Sequence, residues 1–274
     1  MDCAGIPGRD RAGAGGRIVT PFETVTLGRT GLRVGRLGLA ASYGVPAAAV
    51  ERAFERGVNY LYWGSLRRAA FAEAIRNLAS QRDRMVVVVQ SFSRIAALVG
   101  WSLEHSLSKL RLDHADILLF GLWNKPLPPR ILEAGFKLQQ RGLTRFLALS
   151  THHRPLAAQL AQGVFDVLHI RYNAEHRGAE KDVFPLLPTV NRPGIVSFTA
   201  TSWGRLLDRR RAPPGEPVPT ATDCYRFVLS NPAVDVCLSG PSDAEQVTQA
   251  LESLNRGPMP APEIAWMHRI GDST

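Results

Sequence analysis

Lysine is nearly absent from this chain. Of its 33 basic residues only Lys109, Lys125, Lys137 and Lys181 are lysine, and the rest are arginine. A skew of that kind follows the codon bias of a GC-rich genome and is read as such before it is read as function. Cysteine is scarcer still. Cys3, Cys224 and Cys237 are widely spaced and odd in number, which excludes a disulfide framework and a C-x-x-C metal pair. A reduced, cytoplasmic setting is the default for such usage. Long apolar runs are missing too, and none approaches the roughly 18 residues of a membrane span. Met1–Gly16 is rich in Gly and Arg and carries no apolar stretch, unlike a secretory signal. A basic stripe is also lacking. The net charge is +9, but the arginines are dispersed, with their densest groups at Arg67-Arg68 and Arg209-Arg210-Arg211. A nucleic-acid binder gathers its charge on one face, so neither nucleic acid nor a membrane is the expected partner.

What is present is enough apolar residue for one sizeable core: 274 residues, 45% hydrophobic and 21% charged. Residues 1–20 read as a flexible leader, and residues 21–274 as one domain. Phe22–Leu27, a turn at Gly28–Gly31 and Leu32–Val34 carry a β-hairpin signal. Short apolar runs then alternate with amphipathic stretches. Strands are predicted over 37–41, 59–62, 85–90, 117–121, 145–149, 167–170, 195–200 and 236–239. Helices are predicted over 46–56, 69–79, 95–110, 128–140, 155–161, 179–187, 221–229 and 243–254. Met85–Val89 is apolar throughout, as a strand buried on both faces should be. Eight strand–helix pairs after a hairpin imply an α/β (β/α)8 TIM barrel. An open doubly wound sheet is disfavoured, because no G-x-G-x-x-G follows the first strand. In a barrel, chemistry sits just past the strand carboxyl ends.

Several segments carry a resemblance. They are Leu27-Gly28-Arg29-Thr30-Gly31-Leu32-Arg33-Val34, Gly57-Val58-Asn59, Asp113–Leu119, Arg141–Ser150 and Tyr172-Asn173. In this order and at these spacings the chain resembles the aldo/keto reductase family over about residues 22–256, which implies a TIM barrel with the N-terminal β-hairpin closing its bottom. The resemblance implies reduction of a small-molecule carbonyl substrate with a nicotinamide cofactor, NADPH or NADH. In the family a tyrosine donates the proton, a lysine and an aspartate tune it, and a histidine orients the substrate. At the matching positions this chain has Tyr62 for the aspartate, Arg67 for the tyrosine, Gln90-Ser91 for the lysine and Gly121 for the histidine.

The expected activity is therefore a divergent reductase with a non-standard proton donor. The candidate catalytic residues are Tyr62, Arg67, Gln90, His152 and His176. Tyr62 is the candidate donor, while His152 and His176 are acid or base groups near neutral pH. The resemblance implies that Ser150, Thr151, His169, Phe198, Arg205, Gly240, Ser242 and Gln246 hold the cofactor. Trp63, Trp123 and Asn124 are candidate substrate contacts. Arg209–Arg211 could reach a pyrophosphate through their guanidinium forks. No metal site is expected, since no helix carries an H-x-x-x-H face. Two alternatives stand beside this reading. One is a catalytically silent barrel that binds a nucleotide or small ligand, and the other is a lyase or isomerase using His152 and His176. A monomer or weak oligomer is expected.

Overall fold

A computed structural model describes residues 21–64, 68–161 and 163–274. The expected leader over 1–20 lies outside the described residues. Two short strands, β1 (Val25–Thr26) and β2 (Arg33–Val34), pair antiparallel, as the hairpin signal implied. Gly28 in the turn has φ +45°, and a Cβ there would overlap the backbone of Pro193 and Gly194. The hairpin closes against the barrel only because that position has no side chain.

Eight parallel strands follow and close on themselves. They are β3 (Leu37–Ala40), β4 (Tyr60–Trp63), β5 (Val86–Ser91), β6 (Ala115–Phe120), β7 (Thr144–Thr151), β8 (Val167–Arg171), β9 (Gly194–Phe198) and β10 (Val236–Ser239). Strand β10 pairs with both β9 and β3. Inward residues such as Val88, Ile117, Val167 and Val236 fill the barrel above Leu27, Leu32 and Val34 of the hairpin. Outward residues such as Leu61, Val87, Leu118 and Leu149 pack under the helices. This two-sided burial makes β5 apolar on both faces.

The surrounding helices are α1 (Ala47–Glu55), α2 (Ala69–Asn77), α3 (Ala96–Leu110), α4 (Pro129–Gln140), α5 (Arg154–Leu160), α6 (Ala179–Asp182), α7 (Ala221–Leu229), α8 (Ala244–Arg256) and α9 (Ala261–Ser273). The stretch expected as one helix over 179–187 is instead α6 followed by a 3-10 turn at Phe184–Leu186. Pro185 lacks the N–H that would continue the helix. Helix α9 has no counterpart in the sequence reading. Among the described residues no helix is long and apolar enough to cross a membrane.

Arginines stitch the bottom of the barrel. Arg29 donates to the carbonyls of Gly163 (3.1 Å) and Phe165 (2.7 Å). Arg36 donates to those of Asp235, Leu229 and Val234 at 2.8–3.1 Å. Buried Asp116 accepts from the Val87 N–H and pairs with Arg82 (2.9 Å) and Arg145 (3.1 Å). Buried Asp235 does the same for the Ile195 N–H and Arg192. The other end of the barrel is left open for a site.

Candidate functional site

The open end holds a cavity of about 610 Å³, a size typical of ligand pockets. Tyr62, Gln90 and His169 line its floor, and Ser150 and Phe198 line one side. Tyr43, Phe92, Leu122 and Trp203 line its rim and stay about half exposed (43–56%). Leu122, Thr199, Ser202 and Trp203 have φ between +47° and +60°. Each such non-glycine residue costs about 1 kcal/mol or more, and strain of this kind concentrates at functional sites. Asn173 of the Tyr172-Asn173 pair holds one strained turn, its amide donating to the Thr199 carbonyl at 2.7 Å.

Strand alternation sends Tyr60 and Tyr62 inward together. Tyr62 stands opposite Ala40 on β3 and Val88 on β5. Its hydroxyl donates to Gln90 Oε1. Burial, and then Tyr43, push the Tyr62 phenol above its ordinary range. The Gln90 amide lies across Gly121, where a Cβ would overlap Gln90 Nε2. Gly121 therefore leaves room for a side chain arriving from the neighbouring strand.

Beneath them, Tyr60 and His169 meet across the barrel. The Tyr60 hydroxyl lies 2.7 Å from His169 Nε2, and both residues are buried. Tyr60 has no other partner among the described residues, so its O–H donates and Nε2 accepts. Desolvation pushes His169 down to about 3, which keeps the ring neutral. A neutral ring that accepts at Nε2 carries its proton on Nδ1. That assignment, made from the hydrogen-bond network, gives the cavity floor an N–H donor.

His152 also lines the cavity, its ring 5.2 Å from Phe198. Asn124 Oδ1 accepts from the His152 N–H at 2.9 Å and from Thr151 Oγ1 at 3.3 Å. Asn124 and Thr151 thus fix the turn rather than face the cavity. His176 is fixed likewise, its N–H donating to Asn173 Oδ1 at 2.8 Å. Burial, and then the charge of Arg171, push both histidines down from their ordinary value.

The remaining expected residues lie elsewhere. Trp63 points outward into the helix-facing core with Arg68 over its ring. Trp123 packs against the same core with Arg94 3.8 Å over its ring centroid. The structure brings neither tryptophan to the cavity. Arg205 pairs with Glu175 at 2.8 Å and donates to the Thr274 carbonyl at 2.7 Å. Arg209, Arg210 and Arg211 engage the Glu216 carbonyl, Asp208 and the Thr274 carbonyl. Arg67 lies outside the described residues. Tyr60 and the rim aromatics were not singled out in the sequence, and Asn173 was named only within the Tyr172-Asn173 pair that carries the resemblance. For Tyr60 a signal existed, since it shares a strand face with Tyr62.

A nicotinamide dinucleotide would meet two different environments here. At the ring end the fit is good, with the Phe198 ring, the buried Ser150 hydroxyl and the His169 N–H all lining the cavity. At the start of α8 the donors are already used. The Ser242 N–H donates to Gln246 Oε1 and the Gln246 N–H to Asp243 Oδ1, both at 2.9 Å. A Cβ on Gly240 would lie 2.5 Å from the Tyr43 ring, so that gap is filled as well. A phosphate there has to displace Gln246 and the Asp243 carboxylate.

No family model matches the chain. A curated relative, L-galactose dehydrogenase of Arabidopsis thaliana, is 26% identical over 228 residues, covering 72% of this chain and 70% of the relative. Among solved structures, an aldo-keto reductase from Bacillus halodurans in its holo form superposes with a TM-score of 0.75 at 18% identity. Its apo form gives 0.72 at 21% identity, and each comparison covers 92% of this chain and 97% of the other. The two structures are alike in fold, and the curated relative is alike in sequence over most of the barrel. By sequence the chain is similar to a curated dehydrogenase, and by fold it is similar to aldo-keto reductases.

Proposed function

We propose that the chain is an oxidoreductase that reduces a carbonyl compound at the barrel mouth with a nicotinamide cofactor, Tyr62 giving the proton. It works as a monomer or weak oligomer in the cytoplasm. The observation that carries this reading is the cavity lining, where the Tyr62 phenol shares one cavity with Ser150, His169 and Phe198. A bound nicotinamide supplies the hydride. The His169 N–H, the Ser150 hydroxyl and the Phe198 ring are the groups that would hold this end of the cofactor. The apolar barrel interior beneath the floor keeps water out and strengthens the hydrogen bonds made above it. Gln90 Oε1 orients the Tyr62 hydroxyl until a carbonyl oxygen takes its proton.

One observation favours a second reading, a barrel that binds without turnover. Both influences on Tyr62 raise it, whereas an efficient acid has a pKa near the working pH. Fluorescence titration with NADH and NADPH, followed by a panel of aldehydes and quinones, separates the two. The reductase reading expects micromolar binding and cofactor oxidation. Tyr62→Phe should lower kcat by about 10²-fold or more, with cofactor Kd within about twofold of the parent. Binding without oxidation of any carbonyl leaves the second reading, and no binding at high micromolar cofactor overturns both for these nucleotides.

A further inference from the structure

We propose that Arg171, flanked by His152 and His176, forms an anion subsite on the rim of the mouth that takes a carboxylate or phosphate of the ligand. Arg171 ends β8 and shares the inward face with Val167 and His169. Two residues beyond His169, it stands about 6–7 Å nearer the opening. The neighbouring cations on this rim are already matched. Arg154 pairs with Asp182 at 2.6 Å, Arg177 with Asp272 at 2.5 Å and Arg205 with Glu175 at 2.8 Å. Among the described residues Arg171 pairs with no carboxylate and donates no side-chain hydrogen bond. Glu175, the carboxylate nearest His176, is saturated, with Oε1 on Arg205 and Oε2 on Ser202.

His152 lines both the main cavity and, with Arg171, a small crevice beside it. Arg171 stands opposite Phe198, whose ring lies 5.2 Å from that of His152, and the guanidinium charge is felt at both imidazoles. The rings are held on fixed turns by Asn124 and Asn173. A half-buried, unmatched guanidinium beside two neutral donors suits one ligand class, an oxyanion that its fork can grip with two parallel N–H bonds. The rest of the rim (Tyr43, Phe92, Leu122, Trp203) is apolar and exposed. The ligand that fits has an apolar or aromatic body and an anionic end. Read as the substrate, it is an aldehyde or ketone bearing a carboxylate; that step rests on the reductase reading, whereas the anion subsite does not.

The test compares parent, Arg171→Gln and Arg171→Lys, each checked by its melting temperature. Binding of terephthalate, dimethyl terephthalate and inorganic phosphate is read by calorimetry. Turnover is read with 4-carboxybenzaldehyde and its methyl ester. The expected result is at least a tenfold preference for the free acid over the ester in kcat/KM. Arg171→Gln should erase it while leaving the ester unchanged, and Arg171→Lys should keep part of it. Loss of terephthalate binding in Arg171→Gln, with no aldehyde reduced by the parent, removes the reductase reading and leaves the subsite standing. If phosphate and dinucleotide affinity fall instead, the anion belongs to the cofactor rather than the substrate. Equal anion binding and equal acid preference in the parent and both variants overturn the proposal. If Arg171→Gln does not fold, the Arg171→Lys comparison alone decides.

Discussion

Tyr60 and His169 show how two residues on opposite walls set the chemistry of a floor. The buried phenol has one acceptor within reach, and that acceptor can oblige only by staying neutral. Burial holds His169 down to about 3, against an ordinary value of 6.5. The unfolded chain takes up a proton there as pH falls through 6.5, and the folded chain does not until near 3. The folded state therefore keeps its full stability above 6.5 and loses it progressively toward 3, by up to roughly 1.4 kcal/mol per pH unit. Denaturant midpoints between pH 7 and 4 should fall less steeply in His169→Gln than in the parent; parallel curves would refute the buried neutral ring. The sequence made His169 and Tyr62 visible through the family resemblance, which sets a cofactor contact at the first position and a catalytic group at the second. Tyr60 was hidden, since its partner lies 109 positions away and no periodicity records a contact across a barrel. Parity explains the tryptophan misplacement. Tyr62 faces inward, so Trp63 must face the helices, as a one-residue step in a strand always dictates.

At the scale of elements, the strands were legible because a barrel strand is buried on both sides, and runs such as Val86–Val89 have few other uses. Helix α9 was not, because its apolar periodicity is weak, although Met267 and Ile270 are buried in the helix-facing core; it also braces a turn of the mouth. Arg177 donates to the His268 carbonyl at 3.2 Å and pairs with Asp272. Gly271 packs so closely on the turn after β8 that a Cβ would overlap the Ala174 carbonyl. Alanine gains about 1 kcal/mol over glycine in a helix, but overlap with backbone costs about 1–3 kcal/mol and displaces the element. Gly271→Ala should therefore destabilise the protein by about 1–2 kcal/mol in urea unfolding. An increase in stability would mean that α9 is not seated on this turn.

For the whole molecule, stability and chemistry lie at opposite ends of one axis. The closed end is stitched by arginine forks to loop carbonyls, a bond pattern lysine cannot reproduce. The net charge of +9 is thus largely a by-product of structural arginines spread over the surface. Leu27, fully buried in the hairpin, plugs that end. Leu27→Ala should cost about 2–5 kcal/mol with ligand affinity at the mouth within about twofold of the parent; a matched loss of affinity would show that the two ends are not separable. The tail of the chain runs against this division. Helix α9 grips the turn bearing His176 through Arg177, while the Thr274 carbonyl beyond it receives Arg205 and Arg211 from the loop after β9. Two loops of the mouth are thereby tied to a single rod, so a displacement of either should register in the amide protection of α9.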